Sequence, residues 1–86
     1  MANARLSDRY KREYSQVSQR LSNMSIGLHR NLEFFSGVLN KAIREDARDL
    51  PSASILNVND LVLMREDLER LYVLQELIQT LEKEGL

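Results

Sequence analysis

The stretch RDLPSASILNVND, residues 48–60, separates two long segments in which apolar residues recur with helical spacing. Pro51 has no main-chain N–H to donate, and its ring disfavours helical geometry at the preceding residue, Leu50. A helix that approaches from the N-terminal side must therefore end near this point. We predict a first helix over about residues 5–49, on the order of 65 Å long, and a loop over about residues 50–57.

A second helix is indicated directly after this loop. Asn57 belongs to the residue types that cap helix N-termini, and Asp60 stands three residues later, in the place of a capping-box acid. Asn59 is the other possible cap. Gly85, near the end of the sequence, is a typical helix stop. We therefore predict a second helix over about residues 58–84.

The first segment carries two rows of residues with seven-residue spacing. The rows are Tyr14, Leu21, Leu28 and Phe35, and Val17, Met24, Asn31 and Val38. Such rows form the a and d positions of a coiled-coil seam, and their one polar member is Asn31. A polar residue at a seam position commonly fixes register or the number of strands. The other interpretation of Asn31 is that the stripe drifts and leaves it half exposed.

Gly27 lies inside SNMSIGLHRNLEFFSG, residues 22–37, and raises the question whether the first helix breaks there. A break would give three helices that could pack as a three-helix bundle within one chain. The seven-residue rows pass Gly27 without a change of phase, and glycine within a helix costs only about 1 kcal/mol relative to alanine. We expect a continuous helix in which small residues let a neighbouring helix approach closely, with the three-helix bundle as the alternative.

The second segment is apolar around more of its circumference than one partner helix would need. Its large apolar residues are Val58, Leu61, Val62, Leu63, Met64, Leu68, Leu71, Tyr72, Val73, Leu74, Leu77, Ile78 and Leu81. A face of this width implies contact with more than one neighbour.

The two predicted helices differ in length. The second spans roughly 40 Å, so about 25 Å of the first would project past it in an antiparallel hairpin. The projecting part would include Tyr10, Tyr14 and Val17, and a large exposed apolar row needs a cover. We expect a second copy of the chain to supply it.

The expected fold is all-α, with one domain over residues 1–86. It is a long, coiled-coil-like antiparallel two-helix hairpin that dimerises into a four-helix arrangement. Eighty-six residues give only a small core, which often needs a partner to be secure. The residues expected in the interface between chains are Tyr14, Val17, Leu21, Met24, Leu28, Asn31, Phe35, Tyr72, Leu74, Leu77, Ile78 and Leu81.

The sequence contains few side chains that could act in catalysis or bind a metal ion. The chain has no cysteine and one histidine, His29, which excludes thiolate and multi-histidine metal sites. The acidic runs REDARD and REDLER interleave arginine with carboxylates, as exposed helical faces do. The sequence contains no glycine-rich phosphate loop and no Gly-x-Ser-x-Gly nucleophile elbow. We expect no enzyme activity, no cofactor and no metal ion.

Charge is distributed unevenly along the chain. Residues 1–30 carry six basic and two acidic side chains, whereas residues 31–86 carry six basic and eleven acidic ones. In an antiparallel hairpin the basic start of the first helix would approach the acidic end of the second. The groups concerned are Arg5, Arg9, Lys11 and Arg12 on the first helix, and Glu76, Glu82 and Glu84 on the second.

The sequence gives no sign of membrane insertion or export. No stretch approaches the roughly 20 apolar residues that a membrane span needs. The first residues, MANARLSDRYKREY, lack the apolar core of a signal peptide. We expect a soluble, cytoplasmic protein.

The function that best fits these expectations is a protein–protein interaction module. Such a chain would be a small structural, adaptor, chaperone-like or regulatory subunit. Its apolar seam would bind a second copy or an amphipathic helix of another protein. In architecture it resembles the helical-hairpin chaperones and adaptors of bacterial secretion systems.

The alternative function is that of a small dimeric RNA-binding regulator. The segment ARLSDRYKREY combines Arg5, Arg9, Lys11 and Arg12 with two tyrosines, a mixture that can contact phosphates and stack bases. In architecture such a protein resembles the small plasmid-encoded helical hairpins that dimerise into a four-helix bundle and bind RNA loops. A formal charge of only −1 argues against general nucleic-acid binding.

Overall fold

The computed structural model describes residues 5–45 and 49–86. α1 spans Leu6–Arg44, a short 3₁₀ helix spans Ala53–Ile55, and α2 spans Val58–Lys83. The two long helices pack against each other, and no strand occurs in the part of the chain that is described. The predicted all-α two-helix hairpin is confirmed.

α1 continues through Gly27 without a break. The three-helix bundle considered as the alternative is therefore wrong. The surroundings of Gly27 are open, since a Cβ atom built there would meet nothing within 4 Å, and the same holds at Gly37. The close approach of a neighbouring helix that was expected here therefore does not occur at either glycine within the single chain.

α1 ends about five residues earlier than predicted. Its last helical residue is Arg44, and the N–H of Glu45 donates a hydrogen bond of 3.0 Å to the carbonyl oxygen of Lys41. Residues 46–48 lie outside the described part of the chain, and Asp49 is not helical. Carboxylates are unfavourable at the negative end of a helix dipole, so the acidic residues that follow Arg44 oppose further turns.

α2 begins at the cap that the sequence predicts. The side chain of Asn57 accepts a hydrogen bond of 3.0 Å from the N–H of Asn59 and thereby satisfies a main-chain donor of the first turn. The helix ends at Lys83. Two residues later, Gly85 adopts a φ of 75°, in the left-handed region that L side chains rarely enter.

The end of α2 lies against the start of α1. The N–H of Ser7 donates a hydrogen bond of 3.2 Å to the main-chain oxygen of Leu86. Val17 is buried, and Tyr10 and Tyr14 are half-buried, because α2 covers this part of α1. The prediction that these three residues project without cover is wrong.

The excess length of α1 lies at its C-terminal end instead. α1 has 39 residues and α2 has 26, which makes α1 about 20 Å longer. Within the described part of the connection, the 3₁₀ helix packs against α1. A short loop would have aligned the helices at the end of α1 and left the N-terminal part free. In the structure, α2 covers the N-terminal part of α1, and the C-terminal part of α1 extends past α2.

The hairpin is long and thin, with extents of 66 × 22 × 17 Å. Its buried apolar side chains, among the described residues, are Val17, Ala42, Leu71, Leu74 and Leu81, and of these only Leu74 has no exposed surface. Leu71, Leu74 and Leu81 follow one another at steps of three and seven residues and so share one face of α2. The remaining surface of each helix is largely exposed to solvent.

Candidate interaction surface

The contact between α1 and α2 takes up most of the residues predicted for an interface between chains. Val17, Leu74 and Leu81 are buried within the hairpin. Half-buried are Tyr14, Leu21, Met24, Leu28, Phe35, Leu77 and Ile78. Asn31 and Tyr72 are exposed. Asn31 therefore does not set the register of the hairpin. Because Asn31 and Tyr72 are exposed, a partner can contact both side chains while α1 and α2 stay packed together.

One flank of the hairpin is closed by two ion pairs that join the helices. The Arg20 guanidinium donates two hydrogen bonds to the carboxylate of Asp67, from Nη2 to Oδ1 at 2.6 Å and from Nε to Oδ2 at 2.9 Å. Arg70 donates to Glu13, with Nη2 at 2.8 Å from Oε1 and 3.0 Å from Oε2. We call these four residues the polar flank.

Asp67 is the acidic side chain that this flank buries. The residue is only 8% exposed. Hydrogen bonds from the Arg20 guanidinium hold the pKa of its carboxyl below the usual value, against the opposite effect of burial. Because a forked arginine–carboxylate contact fixes geometry as well as charge, this pair specifies how the two helices are aligned.

The opposite flank is apolar and open. Leu61 and Leu68 lie seven residues apart on α2 and Tyr72 follows one turn later, so the three side chains share a stripe. Arg70 lies about 160–180° around the helix from both leucines. The exposed fractions of Leu32, Leu61, Leu68 and Tyr72 are 42%, 52%, 44% and 62%. We call these four residues the apolar flank.

Two grooves lie between the helices on this side. One, of about 120 Å³, is lined by Leu28, Leu32, Leu56, Asn57, Val58 and Leu61. The other, of about 280 Å³, is lined by Lys11, Tyr14, Gln75, Ile78, Gln79 and Glu82. Pockets for small organic ligands usually measure about 300–1,000 Å³. Both grooves are smaller, and they suit individual side chains of a protein partner.

The basic start of α1 meets the acidic end of α2, as the charge distribution predicts. Nζ of Lys11 lies 2.7 Å from Oε1 of Glu82. The hydrogen bond to Glu82 raises the pKa of Lys11 above its ordinary value. This ion pair joins the two helices where α1 begins and α2 ends.

The four basic residues predicted for a nucleic-acid interface are all exposed. They are Arg5, Arg9, Lys11 and Arg12. Arg9 and Arg12 line a shallow depression together with Glu13, and Lys11 is paired as described above. Carboxylates therefore interrupt the positive charge of this surface.

His29 lies on the exposed surface of α1. Its Nε2 is 2.9 Å from Oε1 of Glu33, one turn further along the helix. Among the described residues, no three side chains of His, Cys, Asp or Glu are grouped so that they could hold a metal ion. Within the same residues, neither long helix has a stretch apolar enough to cross a membrane.

Sequence patterns do not identify two features of this surface, the buried Asp67 and the exposed stripe of Leu61 and Leu68. Asp67 stands in REDLER, a run typical of a solvated helix face, and its burial depends on where α1 crosses α2. Leu61 and Leu68 stand at heptad spacing, but α2 carries apolar residues on every side. The spacing of apolar residues alone therefore does not predict which side of α2 remains exposed to solvent.

A scan of protein-family models and searches of curated proteins and of solved structures gave no match for this chain.

Proposed function

We propose that this chain is a non-enzymatic protein–protein interaction module, a small structural, adaptor or regulatory subunit that acts as a homodimer with four helices. The observation that carries the proposal is the apolar flank, whose four large side chains are open to solvent while ion pairs close the opposite side. Contiguous exposed apolar side chains with a polar surround are typical of protein-binding surfaces.

The surface area of the single chain supports a partner. The hairpin exposes 7127 Å². A compact monomer of the same mass, 10.0 kDa, would expose about 5,200 Å², which leaves an excess of about 1,900 Å². Each partner in a standard protein–protein interface buries only about 800 Å². The hairpin therefore has more open surface than a stable dimer needs.

The elongated shape supports the same proposal. The radius of gyration is 20.0 Å, whereas a compact domain of this length has about 12 Å. Among the described residues, Leu74 is the one large apolar side chain that is fully buried. Small domains with so little core usually gain stability from an oligomer, a metal or disulfides. Since the chain has no cysteine, association is the simplest source of that stability.

RNA binding receives less support from the surface. Nucleic-acid interfaces concentrate positive charge on one face. Here Lys11 is engaged by Glu82, and Glu13 lies beside Arg9 and Arg12. We expect no binding of structured RNA at low salt. Binding with a steep salt dependence would instead favour the RNA-binding alternative.

Light scattering on a sizing column, across a dilution series, tests the proposed self-association. We expect twice the chain mass at high concentration and a fall toward the chain mass on dilution, because dissociation follows mass action. The mass of a single chain at every concentration would contradict the homodimer. In that case an amphipathic helix of another protein would be the remaining occupant of the apolar flank.

A further inference from the structure

We infer that two copies of the chain pair antiparallel through one stripe of α2, about a two-fold axis that meets the helix at the level of residue 70, on the side that carries Leu68 and Tyr72. This inference rests on the proposed self-association and adds its register. The stripe, which we call the outer stripe, consists of Leu61, Arg65, Leu68, Tyr72, Glu76 and Gln79. Its members are separated by steps of three and four residues, so they lie along one side of the helix.

The outer stripe is exposed along its whole length. It includes the three α2 residues of the apolar flank, and the side chain of Arg65 between them is 82% exposed. The inner side of α2, which carries Leu71 and Leu74, is occupied by α1. A partner can therefore pair with the outer stripe while the hairpin stays closed.

The outer stripe is self-complementary about residue 70. Leu68 and Tyr72 stand at equal distances on either side of that position, so a two-fold axis there packs each against the other across the interface. Leu61 and Gln79 also stand at equal distances, further out. Each glutamine stem can then cover part of a leucine while its amide stays in solvent. This gives an apolar centre with more polar ends, which is the usual anatomy of a protein interface.

Charge determines the direction and register of the pairing. Arg65 and Glu76 stand at nearly equal distances from residue 70, so Arg65 meets the partner's Glu76, and symmetry forms the same pair a second time. A parallel pairing in register would set Arg65 against the partner's Arg65. An antiparallel pairing centred near Arg65 would do the same. Like charges across an interface disfavour both alternatives.

Glu69 lies near the two-fold axis, and its charge is balanced within its own helix. Nε of Arg65 donates a hydrogen bond of 3.2 Å to Oε1 of Glu69. Each Arg65 would thus lie between Glu69 of its own chain and the partner's Glu76. The two copies of Glu69 then approach the axis as members of ion pairs rather than as isolated negative charges.

A second copy suits the outer stripe because the same stripe in the reverse direction places an opposite charge beside both Arg65 and Glu76, in addition to the contact of Arg65 with Glu69 of its own chain. The whole chain exposes about 1,900 Å² more than a compact monomer, and the outer stripe is one part of that open surface. The polar flank offers no comparable opportunity, because its arginines already bind Glu13 and Asp67 of the same chain.

Charge reversal tests this register. In Arg65→Glu the outer stripe carries two carboxylates, and in Glu76→Arg it carries two cations. We expect each variant to raise the dimer dissociation constant at least about tenfold, because both cross-chain pairs then repel. An equimolar mixture of the two variants should form a heterodimer, because both pairs then join opposite charges. The double variant should dimerise with itself again.

Light scattering measures the mass of each variant and of the mixture, and native mass spectrometry identifies the heterodimer. Arg30→Glu is the matched control, because it reverses an exposed charge on α1 outside the outer stripe; its dimer should be unchanged. Circular dichroism checks that the helices persist, since Arg65→Glu also removes the contact with Glu69.

The outcomes separate this inference from the proposed function. If the wild type dimerises and both single variants dimerise as strongly, the outer stripe is not the interface, although self-association stands. If the single variants dissociate but their mixture does not pair, the antiparallel register is wrong. If the wild type is monomeric at every concentration, self-association itself fails, and this pairing fails with it.

Discussion

The Arg20–Asp67 pair is the most specific contact between the two helices. Asp67→Asn keeps the shape of the side chain and removes its charge. We expect the melting temperature to fall by about 3–8 °C, because hydrogen bonds to charged groups contribute more than neutral ones and small domains respond steeply. Circular dichroism at fixed chain concentration measures the change. Glu33→Gln, in the exposed pair with His29, is the control and should shift the melting temperature by no more than about 1 °C.

The loss of stability caused by Asp67→Asn should depend on pH. The pKa of Asp67 is lower in the folded chain than its ordinary value, so the ionised form is stabilised by folding. That stabilisation is complete above the unfolded pKa, about 3.9, and is lost as pH falls through the lower folded value. The difference in stability between wild type and Asp67→Asn should therefore be constant near neutral pH and shrink in acid. An equal difference at pH 7 and in strong acid would show that the charge contributes nothing.

Residues whose role depends on local chemistry could be predicted from the sequence. Asn57 is recognisable as a cap because capping involves only the next few residues. The approach of Lys11 to Glu82 follows from the uneven distribution of charge and an antiparallel hairpin. Asp67 could not be identified in this way. Its burial depends on the side chain that the other helix places opposite it, 47 positions away in the sequence.

At the scale of the element, α1 is one helix with Gly27 well inside it and open space around that glycine. Gly27→Ala should raise the free energy of unfolding by about 0.5–1 kcal/mol, because alanine loses less backbone entropy in a helix and meets no neighbour. Chemical denaturation measures the gain.

Gly85→Ala is the matched control for this substitution. Gly85 also has open space around it, but its φ is positive, so a side chain there is strained. We expect no gain in stability from Gly85→Ala. A loss of stability in Gly27→Ala would contradict a continuous, uncrowded helix at that position.

The two long helices could be predicted from the sequence, whereas their alignment could not. Pro51 and Asn57 mark the break between them through main-chain chemistry. The alignment depends on the path of the connection between the helices, and no residue pattern specifies that path. For this reason the sequence placed the overhang at the N-terminal end of α1, and the structure places it at the C-terminal end.

At the scale of the whole molecule, the chain has two different sides and a small core. Charged pairs within the chain join the helices on one side, and the apolar flank exposes four large side chains on the other; further large apolar residues, such as Leu63 and Val73, are exposed outside that flank. Since the interior contains few buried side chains, the free energy of association would form a large part of the total stability. Folding and dimerisation should therefore be coupled.

This coupling predicts that the melting temperature depends on concentration. Diluting the wild type about a hundredfold should lower it by several degrees, because association contributes less at low concentration. Leu68→Ser and Ile26→Ser form a matched pair, since the two side chains are 44% and 50% exposed, but only Leu68 lies on the apolar flank. Leu68→Ser should abolish the concentration dependence, and Ile26→Ser should retain it. A wild-type melting temperature that does not change on dilution would show that the hairpin folds without a partner, and equal effects of the two variants would place the interface elsewhere.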